Sequence, residues 1–379
     1  MRAEPPRFVV VGNPDNRRTT YFLDAVRAAG LPGARVLPWR DVLHGSAGFR
    51  PGETVRIDSP GEDAEVERIL RDTDDPARVE GSALWYARFT GAVREVADTA
   101  RAAGCRLLDD PDDLAVLFDK RRCHERLAGA GVPVPQSPTS GGRDAVRGWD
   151  DLRELMRDGL PRVFVKLAHG SSASGVLAVE RAGPGRVRAT TSVEGTPHGL
   201  FNSLRVRRYE SERAVGALVD ALAPDGLHVE RWLPKASLDG RVADLRVVVV
   251  GGRASHAVVR TSTSPMTNLH LGGARGDLDR VRAAVERAGG SWAGALEICE
   301  RAAACFPGTL CVGVDLLPGI GWRRFAVAEV NAFGDLLPGL TGLPGSGFEG
   351  LDTYAAQVAA SLLSKGRGRV LGSEDDRAA

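Results

Sequence analysis

The sequence predicts an α/β (α+β) protein whose N-terminal region starts as a layer of parallel strands. Three observations carry this expectation. Near the N-terminus, "RFVVVGNPDNRRTTYFLDAVRAAG" reads as a buried strand, a polar turn and an amphipathic helix. From "RVFVKLA" onward, short apolar runs bounded by Gly, Pro and Ser recur as strands, two pairs of them close enough in sequence to form hairpins. The chain has 379 residues, long for one compact unit, so two or three subdomains with a cleft between them follow.

The elements run in this order. "RFVVVG" is the first strand, Gly12 and Asn13 make the turn, and Gly30 stops the helix, with "ARVLPW" as a second, parallel strand. "VVVGNP" lacks the GxGxxG spacing, so its glycine is assigned to the turn alone. An aromatic helix, "ALWYARFTGAVREVADTARAAG", leads to the short strand "RLLD" and the break "DPDD". One helix is expected next, capped by Asp112 or Asp113, carrying Leu114, Leu117, Phe118 and Leu127 at helical spacing, and ended by Gly129 or Gly131. The following "VPVP" must be extended. Then come a helix at "GWDDLRELMRDG", the strand "RVFVKLA", the Gly/Ser loop "HGSSASG" and the strand "VLAVE". "LHVERWLP", "ADLRVVVVGG" and "RASHAVVR" are strands, the last two joined through Gly251 and Gly252. A helical stretch over residues 276–305 precedes a second hairpin, "LCVGVDLLPG" with "RRFAVAEVNAF", turning near "PGIG". "GLDTYAAQVAASLLSKG" closes the fold as an amphipathic helix, and no internal repeat is present.

Composition narrows the function classes. Fifty Lys plus Arg against 49 Asp plus Glu, with no long block of one sign, point to neither nucleic acid nor an anionic membrane as partner. Five scattered cysteines without CxxC spacing predict reduced, buried thiols. The N-terminus has no apolar signal core and no run is long enough for a bilayer, so a soluble, cytoplasmic protein is expected.

The chemistry-bearing residues lie at strand positions where the pattern asks for apolar side chains. If the last hairpin opposes Asp315 to Glu329 and Leu317 to Val327, then Asp315, Glu329 and Asn331 share one face. Two carboxylates and an amide oxygen suit a hard cation such as magnesium; a polar strand face turned to water is the plain alternative. Lys166 ends "RVFVK" before the Gly/Ser loop, which suits a polyphosphate, or is a surface lysine beside an ordinary loop. Glu230 ends an apolar strand whose backbone edge suits a purine, or is a solvated strand end. Arg246 and Arg260, near Asp244, fit phosphate or a carboxyl group through forked hydrogen bonds, or face solvent. There is no HxxH or HExxH pair for zinc and no GxSxG elbow.

In this order the segments resemble the ATP-grasp superfamily from about Asp112 to the closing helix. "FDKRRCHERLAGAGVPVP" resembles its entry helix, "VFVKLAHGSSASGV" its strand lysine and glycine-rich loop, "VERWLP" its adenine hinge, and "GVDLLP" with "AEVNAFGDLLPGL" its metal-binding strands. "ADLRVVVVGGRASHAVVR" and "TNLHLGG" are most similar to the branch of ribosomal-protein glutamate ligases and glutathione-type synthetases. The resemblance implies an N-terminal pre-ATP-grasp domain (1–111), two subdomains clasping ATP (112–228 and 229–366) and a loose tail (367–379). It implies ATP contacts at Lys120, Lys166, Ser171, Ser172, Gly175 and Asp244, with the adenine hinge at Glu230, Trp232 and Leu233. Two Mg2+ ions, replaceable by Mn2+, would sit on Asp315, Glu329 and Asn331, and Arg246, Arg260 and Asn268 would line the phosphate and acyl-phosphate region. Where the glutamate-ligase branch commonly has an arginine before "NLHLGG", this chain has Pro265 and Met266, which detaches the substrate from glutamate.

The implied reaction joins a small-molecule or peptide carboxylate to an amine through an acyl phosphate, releasing ADP and phosphate. A kinase on the same fold and a nucleotide-binding regulator with little turnover are the alternatives. A homodimer is the default for such an enzyme. Trp85, Tyr86 and Arg88, or Arg205, Arg207 and Arg208, either line an acceptor pocket or serve packing and solvation.

Overall fold

The structure, a computed structural model, describes residues 4–142, 146–170, 174–181, 183 and 186–367. The first layer contains β1 (Arg7–Gly12), α1 (Arg17–Ala28), β2 (Arg35–Pro38), α2 (Trp39–Leu43), β3 (Glu53–Ile57), α3 (Ala64–Arg71), α4 (Ser82–Ala102) and β4 (Arg106–Leu107). Its strands are parallel in the order β2-β1-β3-β4, as expected. Helices cover both faces, which is why β1 is apolar at every inner position. Phe8 and Val10 pack on Phe22 and Val26 of α1, while Val9 and Val11 face the core that holds Trp39 and Phe89.

The helix expected over 112–131 is two helices, α5 (Pro111–Leu117) and α6 (Lys120–Gly129). Neither Asp112 nor Asp113 caps the first. Asp110 does, accepting from the backbone of both, with Pro111 at the first helical position. The chain breaks at Phe118, and Asp119 starts α6 by accepting from Arg121 N at 3.0 Å and Arg122 N at 3.3 Å.

The second layer holds α7 (Trp149–Arg157), β5 (Arg162–Leu167), β6 (Leu177–Arg181), β7 (Val187–Thr196), β8 (Gly199–Tyr209), α8 (Glu212–Leu222) and β9 (Leu227–Arg231). Its sheet is antiparallel in the order β8-β7-β6-β5-β9, and α7 and α8 bury Trp149, Leu152, Leu218 and Val219 against Val163, Val165 and Leu167. Each fully buried side chain of this kind contributes about 1.5–3 kcal/mol. The β7–β8 hairpin has no counterpart among the strands expected from sequence. Arginine-rich β8 lacks clean alternation, and its register against β7 shifts between Thr191 and Val193.

The third layer comprises β10 (Ser237–Leu238), β11 (Arg241–Val250), β12 (Arg253–Ser262), β13 (Ala274–Gly276), α9 (Leu278–Arg287), α10 (Trp292–Ala304), β14 (Cys311–Pro318), β15 (Phe325–Ala332) and α11 (Thr353–Arg367). The antiparallel order is β13-β12-β11-β14-β15, with β10 on β11. The helical stretch predicted over 276–305 divides at Gly289 and Gly290, because Ser291 caps a second helix. Residues 368–379 of the expected tail lie outside the described residues. All five cysteines are free thiols, but Cys105 and Cys305 are partly exposed rather than buried. Among the described residues no helix is long and apolar enough to cross a membrane.

Candidate active site

Strand alternation builds one wall of a cleft from the second layer. Val163, Val165 and Leu167 of β5 point into the helical core, so Phe164 and Lys166 face the other way. On β9, Leu227 and Val229 do the same and leave His228 and Glu230 beside Lys166. Lys166 and Glu230 are diagonal neighbours and form a buried ion pair. Burial opposes the charge on Glu230, but Lys166 and His228 overcome it and hold the carboxyl at about 2. Burial likewise lowers the Lys166 ammonium, yet Glu230 and Glu329 leave it raised. His228 is pushed down by burial.

The third layer builds the opposite wall. Ala243, Leu245, Val247 and Val249 of β11 enter the core under α10, leaving Asp244 and Arg246 on the cleft face. Arg260 of β12 lies directly opposite Asp244, and Arg246, Asp315 and Glu329 stand in register across β11, β14 and β15. The expected pairing of Asp315 with Glu329 is observed. Beyond it the register slips by one, so Leu316 rather than Leu317 opposes Val327, and the extra residue, Ala328, lines the cleft. Asn331 opposes Gly313 and donates to its carbonyl at 3.3 Å. Glycine is required at 313: a Cβ there would lie 2.9 Å from Gly334 O and 3.2 Å from Arg246 Cδ.

Cations cover these carboxylates. Arg246 forks onto Asp315 at 2.5 and 3.2 Å, and Arg260 adds a contact to the same carboxylate at 3.0 Å. Arg260 also binds Asp244 at 2.8 Å. Lys120, placed at the start of α6 by the Asp119 cap and by its own N–H on Ala168 O, reaches Glu329 at 2.5 Å. Burial opposes ionisation of Asp244, but Arg260 and Lys235 hold it at about 2. Burial is similarly outweighed at Glu329, lowered by Lys120 and Lys166, and at Arg246 and Arg260, both raised by their carboxylates.

The expected residues are therefore not equally placed. Lys120, Lys166, Glu230, Leu233, Asp244, Arg246, Arg260, Asn268, Asp315, Glu329 and Asn331 line one cleft enclosing about 970 Å³ of non-protein space, open solvent included. Asn268 does so while its side chain accepts from His270 N at 2.9 Å. Trp232 does not face it: the indole lies under Arg162 at 4.2 Å and against Phe164 at 5.3 Å. Gly175 serves packing, since a Cβ there would lie 2.6 Å from Leu167 Cδ1. Ser171 and Ser172 lie outside the described residues. Neither suggested acceptor group lines the cleft. Trp85 stacks on Phe89 in the core, Tyr86 stacks on His169, and Arg207 pairs with Glu194.

Two cleft residues escaped the sequence pattern. Lys235 donates to Asp244 at 3.3 Å and to Thr267 at 3.1 Å, and burial lowers its pKa. Thr267 in turn bonds Asp244. A lysine two residues past the expected hinge was the available signal. Among the described residues no cluster of three or more His, Cys, Asp or Glu is arranged to hold a metal. The oxygen donors Asp315, Glu329 and Asn331 on adjacent strands nevertheless fit magnesium, which takes few protein ligands and completes its shell with water and phosphate.

No protein-family model matches the sequence, and no curated protein matches it. Solved structures do. D-cycloserine synthetase DcsG is similar with a TM-score of 0.56 and 18% identity, covering 94% of this chain and 99% of that one. The ATP-grasp ligase PsnB, complexed with minimal precursor, Mg and ADP, is similar at 0.52 and 15% identity, covering 94% and 96%. Macrocyclase MdnC bound with precursor peptide MdnA, from Microcystis aeruginosa MRC, is similar at 0.50 and 10% identity, covering 95% and 99%. At these identities what is shared is the architecture, and this chain has the ATP-grasp fold.

Proposed function

We propose that the protein is an ATP-dependent carboxylate-amine ligase. The observation that carries this reading is the meeting, in one cleft of this fold, of Lys120, Lys166, Arg246 and Arg260 with the oxygen donors Asp315, Glu329 and Asn331. The backbone near Glu230 and Leu233 would take adenine, and the phosphates would lie along Lys166 and Lys120. Asp315 and Glu329 would hold one Mg2+, with Glu329 and Asn331 holding a second. When bound, the ions neutralise phosphate charge and fix the triphosphate in line with the attacking oxygen.

A substrate carboxylate oxygen attacks the γ-phosphorus, the bond to the bridging β,γ oxygen breaks, and ADP leaves. The amine nitrogen then attacks the acyl carbon, the bond to the phosphate oxygen breaks, and the amine proton goes to solvent or phosphate. Arg246 and Arg260 exchange their hold on Asp315 for the charge that develops on the acyl phosphate. No side-chain nucleophile is needed. The similar structures include a synthetase of a small molecule, D-cycloserine, and enzymes bound to precursor substrates, which supports either substrate size here.

Mass spectrometry tests the reading. Purified protein is incubated with magnesium, ATP and a mixed pool of amino acids, organic acids and sugars. The expected product has the mass of two pool members minus water and forms with ADP and free phosphate. A pool member gaining only a phosphoryl group, without free phosphate, would make the protein a kinase.

A further inference from the structure

Behind the pair of Lys166 and Glu230 lies a buried hydrogen-bond chain that plays no part in the chemistry proposed above. Glu230 presents one oxygen to Lys166. Its other oxygen, Oε2, is buried with no hydrogen-bond partner among the described residues and faces His228 Nε2 at 3.5 Å. The far side of the same imidazole, Nδ1, lies 3.2 Å from Thr139 Oγ1, in the segment between α6 and α7. Thr139 accepts from Val229 N at 2.9 Å and stands 3.2 Å from Ser137 Oγ, which donates to Val229 O at 2.7 Å. His228 is 2% exposed and Thr139 is fully buried, so bulk water does not replace these partners.

This chain can take up a proton without breaking. With His228 neutral and its hydrogen on Nε2, Thr139 donates to Nδ1. With His228 charged, Nδ1–H donates to Thr139 Oγ1, whose own hydrogen turns to Ser137. Thr139 then accepts two bonds and donates one, the full capacity of a hydroxyl. The gain falls on Glu230, where a long contact becomes a charge-assisted bond to an oxygen that otherwise has no partner. Glu230 then divides its charge between two cations, and Lys166, which faces the cleft from β5, is freer to turn its hydrogens to an anion there.

The other ionisable groups around His228 are Lys166 on β5, Glu230 on its own strand, and His124 on α6, whose ring centre is 5.5 Å away. Lys120, Cys123 and Glu329 line the same small cavity between α6 and β15. Glu230, held at about 2, stays charged above about pH 5, and the Cys123 thiol, pushed up to about 12 by burial, stays protonated below about pH 8. His124 bonds Ser140 Oγ at 2.8 Å and Pro135 O at 2.7 Å.

We propose that His228 is a positioning residue for the nucleotide: through Glu230 it sets how freely Lys166 reaches the phosphates, so that the site binds ATP more tightly when His228 takes up a proton. By linkage, bound nucleotide must in turn strengthen the hold of His228 on that proton. Burial lowers the imidazole from its ordinary value, so the change falls on the acid side of about pH 6.5. The inference rests on the ligase reading in placing the triphosphate along Lys166.

Calorimetric titration tests it. A non-hydrolysable ATP analogue with magnesium is bound to wild type, His228→Gln and His124→Gln at a series of values between about pH 8 and 5. The phosphates of the analogue titrate alike in all three, so the differences between proteins carry the result. On acidification wild type should gain at least about fivefold in affinity over His228→Gln, and His124→Gln should keep that gain. The proposal is overturned if wild type and His228→Gln follow the same profile, or if the gain disappears in His124→Gln. Absence of binding by wild type at every pH would instead contradict the ATP site itself, a failure distinct from an unaltered profile. Should His228→Gln fail to fold, NMR titration of the wild-type imidazoles decides: the pKa of His228 must rise when the analogue saturates the protein, and an unchanged value overturns the proposal.

Discussion

Two groups of carboxylates, one lining the cleft and one beneath the N-terminal layer, differ in the supply of cations around them. In the cleft, Glu230, Asp244, Asp315 and Glu329 face Lys120, Lys166, Lys235, Arg246 and Arg260. Beneath the N-terminal layer, Asp58 and Asp109 share Arg56, which pairs with Asp58, donates to Gln357 of α11 at 3.3 Å and lies over Phe22 at 4.7 Å. Burial pushes Asp109 up to about 7, with Arg56 and Ile57 N–H opposing and Asp58 adding to the rise. Burial is as complete at Glu230 and Asp244, yet both are held at about 2. Local cation supply, not depth, decides which carboxylates keep their charge. A cleft with more cations than carboxylates is prepared for an anionic ligand; a seam with fewer is a structural joint.

The largest effect should come from breaking the cleft's oxygen set. Glu329→Ala removes the carboxylate shared between the proposed ions and leaves Lys120 unpaired, so ADP-forming turnover should fall by at least about 10³-fold. Persistent turnover would mean that the metal assignment is wrong. Glu230→Gln strands the buried Lys166 ammonium and is expected to cost about 3–5 kcal/mol in urea unfolding; a loss below about 1 kcal/mol would show that the pair is not buried in solution.

The two regions should also titrate with opposite signs. Glu230 has a folded pKa of about 2, below its ordinary value of 4.5. Its contribution is complete above the ordinary value and is lost as pH falls through the folded one, on the order of 3 kcal/mol. An unfolding series between about pH 5 and 2 should show this loss in wild type and a shallower slope in Glu230→Gln. Asp109, raised from 3.8 to about 7, does the reverse and draws stability down as pH rises between those values. Asp109→Asn should stabilise the protein at pH above about 7 by about 1–2 kcal/mol, an advantage that vanishes at acidic pH. The smallest effect belongs to Asp119→Ala, which should cost about 0.5–2 kcal/mol by removing the cap that starts α6 at Lys120.

What was legible in the sequence was whatever strand alternation displays. Lys166, Glu230, Asp244, Arg246, Arg260, Asp315, Glu329 and Asn331 occupy strands whose alternate positions are core residues, so a polar residue in the run announces a second face. Lys235 and Thr267 sit on irregular backbone, where no period separates an inward side chain from an outward one. The break at Asp119 was hidden because apolar spacing continues across it from Leu117 to Leu127. The slipped register beyond Asp315 depends on a bulge that leaves no mark in composition.

Oxygen transfer tests the ligase claim most directly. The protein is incubated with magnesium, ATP and a pool of amino and organic acids whose carboxylates carry ¹⁸O, and the released phosphate is weighed by mass spectrometry. Attack by a carboxylate on the γ-phosphorus, followed by displacement by an amine, should leave one heavy oxygen in the free phosphate. Unlabelled phosphate, or ADP release with no free phosphate, would contradict the acyl-phosphate ligase.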